Sequence, residues 1–238
     1  MKIGIIFPVF NEEKRLENGI TRTEEFIREN LKSEYRIYIV DNASTDNTGG
    51  EAKKLESKYD NVSYHRIEIK GVGAAFREGV KVSSECEIIG YMDVDLSTDI
   101  NHLKAVENIF ASEEFDVVNG SRFNRKSKTS GRKWYRNITS YGLIFLLKLF
   151  LHMKASDAIC GFKFFRREIV VELMSKSSQE NGWFYIIELL LRAEREGVKI
   201  YELPVRWADD ANHSKVEMSK VIKSYLTGIK ALRKEFKS

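Results

Sequence analysis

An alternation running through the first half of the chain constrains its fold more than any other feature. Five short runs rich in Ile, Val and Tyr read as strands: Lys2–Val9, Tyr35–Val40, Val62–Ile67, Glu87–Met92 and Phe115–Val118. Between them lie Glu12–Leu31, Asp46–Tyr59, Gly73–Ser84 and Asp99–Ala111, with helical spacing such as Leu103, Val106, Ile109 and Phe110. Strands separated by helices imply βαβ units with right-handed crossovers. The expected class is therefore α/β, with a mostly parallel, doubly wound sheet. Asp46 and Asp99 stand where a carboxylate favours the first turn of a helix.

After Gly120 the pattern changes. A cationic segment (Arg122, Arg125, Lys126, Lys128, Arg132, Lys133) precedes the apolar stretch Trp134–Met153. A short strand at Gly161–Phe165, a helix at Asn181–Glu196, a strand at Val198–Leu203 and a loop at Trp207–Ser214 follow. No internal repeat and no Pro-, Gly- or Ser-rich linker divides the chain, whose two prolines are Pro8 and Pro204. Residues 1–238 therefore read as a single domain: a front half 1–120, a back half 121–215 and a C-terminal helix 216–238.

Composition removes several classes. Hydrophobic residues at 42% and charged residues at 31% describe a globular chain, and a net charge of +4 is too small for a dedicated nucleic-acid binder. Two cysteines, Cys86 and Cys160, make no disulfide framework and imply a reducing compartment. The N-terminus enters a strand pattern at once, without signal-peptide character. The longest apolar stretch, Leu143–Leu151, contains Lys148 and falls well short of the ~20 residues that span a bilayer. The expectation is a soluble or peripheral protein.

The chemistry concentrates at strand ends. Tyr91-Met92-Asp93-Val94-Asp95 closes an apolar run with two carboxylates, which repel each other unless a cation sits between them. Hard oxygen ligands suit Mg²⁺ or Mn²⁺, which leave positions open for phosphate oxygens; an Asp-capped turn is the structural alternative. Strand one ends in Phe7-Pro8-Val9-Phe10-Asn11-Glu12 and strand two in Val40-Asp41-Asn42-Ala43-Ser44-Thr45-Asp46. In a parallel sheet these loops and the Asp93/Asp95 loop share one rim, where open α/β sheets bind ligands. Asp41 and Glu12 are placed to accept hydrogen bonds from a base or ribose, with Asp93 and Asp95 holding metal against a diphosphate. Lys70-Gly71-Val72-Gly73-Ala74-Ala75 opens a helix, and two readings stand: an anion at the helix N-terminus, or a tight turn packed on the sheet.

These motifs, with Gly120-Ser121-Arg122-Phe123, occur in the order found in family 2 glycosyltransferases, which the chain resembles over roughly residues 2–216. Asp157-Ala158-Ile159-Cys160-Gly161-Phe162-Lys163, Trp183 through Glu188-Leu189-Leu190, and Val205-Arg206-Trp207 through Ser214-Lys215 are similar to the dolichyl-phosphate glucose and mannose synthase branch. The resemblance implies the GT-A nucleotide-diphospho-sugar transferase fold. It assigns nucleotide-sugar and metal binding to the front half and the acceptor to the back half. The implied reaction is inverting transfer of a hexose from UDP-glucose or GDP-mannose to a polyprenyl or dolichyl phosphate. Pro8, Phe10, Glu12, Asp41, Lys70, Asp93 and Arg122 are then the donor-side residues, with Mg²⁺ or Mn²⁺ on Asp93 and Asp95. Arg122, Arg132 and Lys215 are candidates for phosphate contacts. Asp157 either orients an acceptor or supports the fold through an Arg.

Several positions leave the sugar open. Ser97 stands where mannose synthases place a Gln or similar ligand, and Asp209 where they place an Arg. Lys163 and Trp207 resemble the glucose branch, yet Ile186 replaces an Asp common there. A lipid acceptor requires access to a membrane, and two segments offer it. Tyr141–Leu151 is apolar nearly all round, and Lys215–Ser238 carries seven basic and two acidic residues with Val221, Ile222, Tyr225, Ile229 and Leu232 on one face. Either segment reads equally as a core helix. The expected partners are an anionic membrane surface or a membrane protein, the expected location the cytoplasmic membrane face, and no nucleic acid. A hydroxyl acceptor on a glycan or small molecule, or a non-catalytic nucleotide-sugar-binding subunit, are the alternative functions.

Overall fold

The computed structural model describes residues 1–131, 134–208 and 218–237, without the side chains of Tyr135, Arg136, Met218, Ser219 and Lys220. In chain order the elements are β1 (Lys2–Val9), α1 (Leu16–Asn30), β2 (Glu34–Asn42), α2 (Thr48–Lys58), β3 (Val62–Ile67), α3 (Val72–Val82), β4 (Ile88–Met92), α4 (His102–Ala111) and β5 (Val117–Ser121). They continue with β6 (Lys128–Ser130), α5 (Trp134–Leu151), β7 (Phe162–Arg166), α6 (Arg167–Lys176), α7 (Phe184–Arg195), β8 (Ile200–Pro204), β9 (Arg206–Ala208) and α8 (Met218–Glu235). Seven strands form one sheet in the order β3-β2-β1-β4-β7-β5-β8, and β6 pairs with β9 in a second, parallel pair. All pairings in the large sheet are parallel except those of β7, which runs antiparallel to β4 and β5. The expected mostly parallel, doubly wound α/β sheet is what the chain forms.

Strand periodicity explains the two layers of helices. Ile3, Ile5 and Phe7 of β1 point to one face, where they meet Leu16 and Ile20 of α1 and Leu103, Val106 and Phe110 of α4. Ile6 points to the other face, against Phe76 and Val80 of α3 and Tyr185 and Leu189 of α7. Each such side chain, fully removed from water, contributes roughly 1.5–3 kcal/mol of transfer free energy. A third cluster joins Leu147 of α5, Ile187 and Leu190 of α7, and Ile229 and Leu232 of α8. Helix α7 is thus clasped on two sides, and Phe184 through Ala193 are all buried. Its Arg192 pairs with Glu188 and with Glu235, fastening the end of α8.

The structure departs from the sequence expectation in three places. The first helix starts at Leu16 rather than Glu12, because Asn11 adopts φ 56° and the Glu12 carbonyl closes a turn by accepting the Arg15 and Leu16 N–H groups. Helix α6 occupies a stretch with no clear period, and it buries only Val170 and Leu173. Strand β9 (Arg206–Ala208) overlaps the start of the loop expected from Trp207, and it pairs across the chain with β6. Asp46 and Asp99 act two and three residues ahead of the first residues of their helices. Their carboxylates accept the N–H of Thr48 and Asn101 respectively.

Candidate active site

Strand β1 is flanked by β2 on one side and β4 on the other, so the chain reverses its winding direction at β1. A crevice opens beyond the carboxyl ends of strands at such a point. The three loops expected there are present and share side-chain hydrogen bonds. Asn11 donates its N–H to Ser44 Oγ, and its Oδ1 accepts the Thr45 N–H, 2.9 and 2.8 Å respectively. Asn42 ties three segments together: Nδ2 donates to the Val9 carbonyl and Oδ1 accepts the Gly71 N–H. Each of the three loops holds one non-glycine residue in the left-handed region, namely Asn11, Ala43 and Leu96. Such residues persist only where surrounding contacts enforce them.

The donor-side candidates fall on this rim. Asp41 is fully buried; Oδ1 accepts the Ser44 N–H, and Oδ2 accepts from Tyr64 Oη and Arg66 Nη1 at 3.1 Å. Glu12 faces Arg15, which donates Nε and Nη2 to its two oxygens at 2.7 Å. Burial still raises the Glu12 carboxyl above its ordinary range despite that partner. Lys70 places its ammonium 3.6 Å above the Phe10 ring. Pro8 lies in β1 opposite Val40.

The two readings of the Gly71-Val72-Gly73 turn are separated by its hydrogen bonds. The Gly73 and Ala74 N–H groups donate to the Asn181 carbonyl, so a backbone oxygen occupies the N-terminus of α3. Gly71, at φ 138°, lies where an added Cβ would come 2.1 Å from that oxygen. The glycines therefore seat the 180–182 loop, the tight-turn reading.

Asp93 and Asp95 follow β4 directly. Asp93 is partly buried and accepts a hydrogen bond from Tyr91 Oη at 2.9 Å on Oδ1. Burial, and then the neighbouring Asp95 charge, push its carboxyl up to about 7. Asp95 is exposed and accepts the Ser97 N–H on Oδ1. Neither carboxylate has a salt bridge among the described residues. Two mutually repelling carboxylates without a cation fit a hard divalent ion, whose positive charge would offset both the burial and the Asp95 repulsion behind the Asp93 shift. No cluster of three or more His, Cys, Asp or Glu side chains occurs among the described residues. The residues thus suit an ion sharing its coordination with substrate oxygens and water.

Behind this pair lies a buried charge cluster. Arg122 donates Nε and Nη2 to the two oxygens of Asp157 at 2.7 and 3.0 Å, and its backbone N–H goes to Asp157 Oδ2 at 3.0 Å. Burial works against both charges, yet each is outweighed by the other: Arg122 is held above its ordinary value and Asp157 below. Asp157 also accepts the Ile159 and Cys160 N–H groups on Oδ1. It therefore supports the fold and aims Arg122. The guanidinium lies near the Phe123 and Trp207 rings and faces a cavity of about 400 Å³.

That cavity has a polar floor, formed by Tyr91, Asp93 and Arg122, and largely apolar walls. Leu143 and Leu146 of α5 form one wall, Val221, Tyr225 and Leu226 of α8 the other, with Trp183 and Trp207 between. Lys163, fully buried in β7, donates Nζ to the Cys160 carbonyl at 2.7 Å, and burial lowers its ordinary value. Lys215, Arg132, Asp209 and Ser214 lie outside the described residues. Ile186, where one branch has an Asp, is a buried core residue of α7.

Tyr91, Tyr64 and Arg66 were not among the sequence candidates. Tyr91 was within reach, because it lies two residues before Asp93 and so shares its strand face. Gly161 is another: an added Cβ would sit 1.8 Å from Asp93 Oδ2. Gly161→Ala is therefore expected to displace the Asp93 carboxylate and lower activity roughly tenfold or more, while thermal unfolding shows a folded protein. Wild-type turnover in that variant would show that Asp93 tolerates a shifted position.

Comparisons with known proteins establish the family. The family model described as glycosyl transferase family 2 matches residues 4–174, and the chain belongs to that family. Glycosyltransferase AglD of Haloferax volcanii is 29% identical over 209 residues, covering 87% of this chain and 33% of the relative. The dolichyl-phosphate beta-glucosyltransferase of Saccharomyces cerevisiae is 27% identical, covering 86% of this chain and 66% of the relative. The mouse protein of that name is 28% identical, covering 87% and 68% respectively. The chain thus spans about a third of the archaeal relative and about two thirds of the yeast one. Among solved structures, the glucosyl-3-phosphoglycerate synthase of Mycobacterium tuberculosis in complex with Mn²⁺, UDP and its product superposes with a TM-score of 0.70. At 15% identity over 97% of this chain and 78% of the other, that likeness establishes the GT-A fold.

Proposed function

We propose that the protein is an inverting glycosyltransferase that moves glucose from UDP-glucose to a polyprenyl phosphate at a membrane surface. The observation that carries this reading is the cavity itself: Arg122 and Asp93 at its floor and apolar walls from α5 and α8. A phosphate monoester on a hydrocarbon chain matches both parts. The names of the yeast and mouse relatives favour glucose over mannose and a lipid phosphate over a sugar or small-molecule hydroxyl.

In this reading the donor lies along the rim from Asp41 to Asp93. Asp41, fully buried and fixed by Ser44, Tyr64 and Arg66, shapes the end of the rim that receives the base. A divalent ion, Mg²⁺ or Mn²⁺, would be held by Asp93 and Asp95 and would stabilise negative charge on the departing diphosphate. Arg122, locked by Asp157, holds the acceptor phosphate at the cavity floor. That phosphate is largely a dianion at neutral pH, its second pKa being near ~6, so it attacks without a strong general base. Asp157 is a positioning residue, acting through Arg122. Lys215, also matched to the family motif, is assigned to the same phosphate.

The test is transfer of label. Purified protein with Mn²⁺, a short-chain polyprenyl phosphate and radiolabelled UDP-glucose should yield label extractable into organic solvent, and GDP-mannose should not. Label from GDP-mannose alone would reverse the sugar assignment. Donor binding without label from either would point to a hydroxyl acceptor or a binding-only role.

A further inference from the structure

Helix α5 carries a second feature that catalysis does not use. Trp134, Ile138, Tyr141, Phe145 and Leu149 recur at intervals of three or four residues and so share one face of the helix. That face is turned outward: Phe145 is 63% and Leu149 54% exposed, while Ile144, Leu147 and Leu151 on the opposite side are buried. The neighbouring helix α8 extends the surface. Ile222 and Leu226, 46% and 51% exposed, begin a stripe that continues at the same spacing through Lys230 and Arg233, with Lys237 just past the end of the helix. Helix α5 has no acidic residue, and the one acidic residue of α8, Glu235, is engaged by Arg192. Among the described residues no helix is long and apolar enough to cross a membrane.

The geometry points to a single docking surface, built from the outer faces of α5 and α8, that embeds in an anionic lipid bilayer. This deepens the lipid-phosphate reading above and rests on it for the role of the cavity. Two observations select a bilayer over a second copy of the chain. One is charge: the apolar stripe passes into a purely basic one, which matches acyl chains beside anionic headgroups and would repel its own copy. The other is continuity: Ile222 and Leu226 both belong to the exposed stripe and line the cavity, so the cavity opens within the embedded surface. An acceptor chain can then remain in the bilayer while its phosphate reaches Arg122 and Asp93.

The experiment uses flotation with vesicles of phosphatidylcholine, alone or with about a third phosphatidylglycerol. The full chain should float with the anionic vesicles. The double variant Phe145→Glu, Leu149→Glu, outside the cavity, should bind them at least about tenfold more weakly with an unchanged melting temperature. Its transfer to a short, water-soluble prenyl phosphate should match wild type, while transfer to a long-chain phosphate in vesicles should fall with the binding. A second variant, Lys230→Glu with Lys237→Glu, should lose affinity for anionic vesicles and not for neutral ones. Equal flotation of wild type and the apolar double variant would overturn the proposal. So would a wild-type dimer in lipid-free buffer that this variant dissociates. Absence of transfer to the soluble acceptor by either protein would count against the proposed reaction, and flotation would still decide the docking surface.

Discussion

Asp93→Asn is expected to reduce transfer roughly 10²–10³-fold with the fold intact, since it removes one of two carboxylates available to the ion. Asp95→Asn should act in the same direction. The Asp93 variant also has a signature that an ordinary loop carboxylate lacks. In the folded protein burial and Asp95 push this carboxyl up to about 7, from an ordinary value of 3.8. Between these values the folded state holds a proton that the unfolded state has released. Metal-free protein should therefore lose stability, by a few kcal/mol at most, as pH rises from about 4 to 7. Mn²⁺ should restore it by favouring the ionised form, and Asp93→Asn should remove both the slope and the metal effect. Thermal unfolding across this pH range, with and without Mn²⁺, measures all three. Retained turnover in Asp93→Asn with added Mn²⁺ would falsify the metal assignment.

Asp157→Ala should give the largest loss of stability, on the order of 3–5 kcal/mol, because it strands the Arg122 guanidinium inside the protein. It also leaves the Arg122, Ile159 and Cys160 N–H groups without their carboxylate partner. For a chain of 238 residues this corresponds to a drop in melting temperature on the order of 10 °C. Removing both charges in Asp157→Leu, Arg122→Met should recover much of that stability without recovering transfer. A double variant as unstable as the single one would show that Asp157 acts through the backbone N–H groups more than through Arg122. Recovery of activity would exclude Arg122 from phosphate binding.

The parts of the fold legible in the sequence were those governed by local period. The strands of the first half match their apolar runs within a few residues, since an Ile- and Val-rich run bounded by turn residues has few other uses. Helix α6 was missed because Glu168-Ile169-Val170-Val171 mixes β-branched residues with only two buried positions, and contacts with α7 decide its state. Strands β6 and β9 were invisible because three exposed polar or mixed residues become a strand only when a partner 78 positions away lies alongside, as Lys128 does with Arg206. The antiparallel direction of β7 has a similar origin. Nothing in Phe162–Arg166 encodes direction, which the preceding connection through α5 sets.

The candidate site divides in the same way. By itself the sequence determined which chemical groups are present and that three strand-end loops share a rim, because parallel strands must end on the same side. It also located the Asp93/Asp95 pair and the carrying motifs around Arg122 and Asp157. Tertiary structure alone decided which groups are free to act. Packing against Asn181 closed the α3 N-terminus to anions, Asp157 took two of the three donor nitrogens of Arg122, and the crossing of α5 and α8 turned two ambiguous apolar helices into a cavity with an exposed apolar rim. Period and motif are properties of neighbours along the chain; burial, charge pairing and access depend on segments far apart in sequence meeting in space.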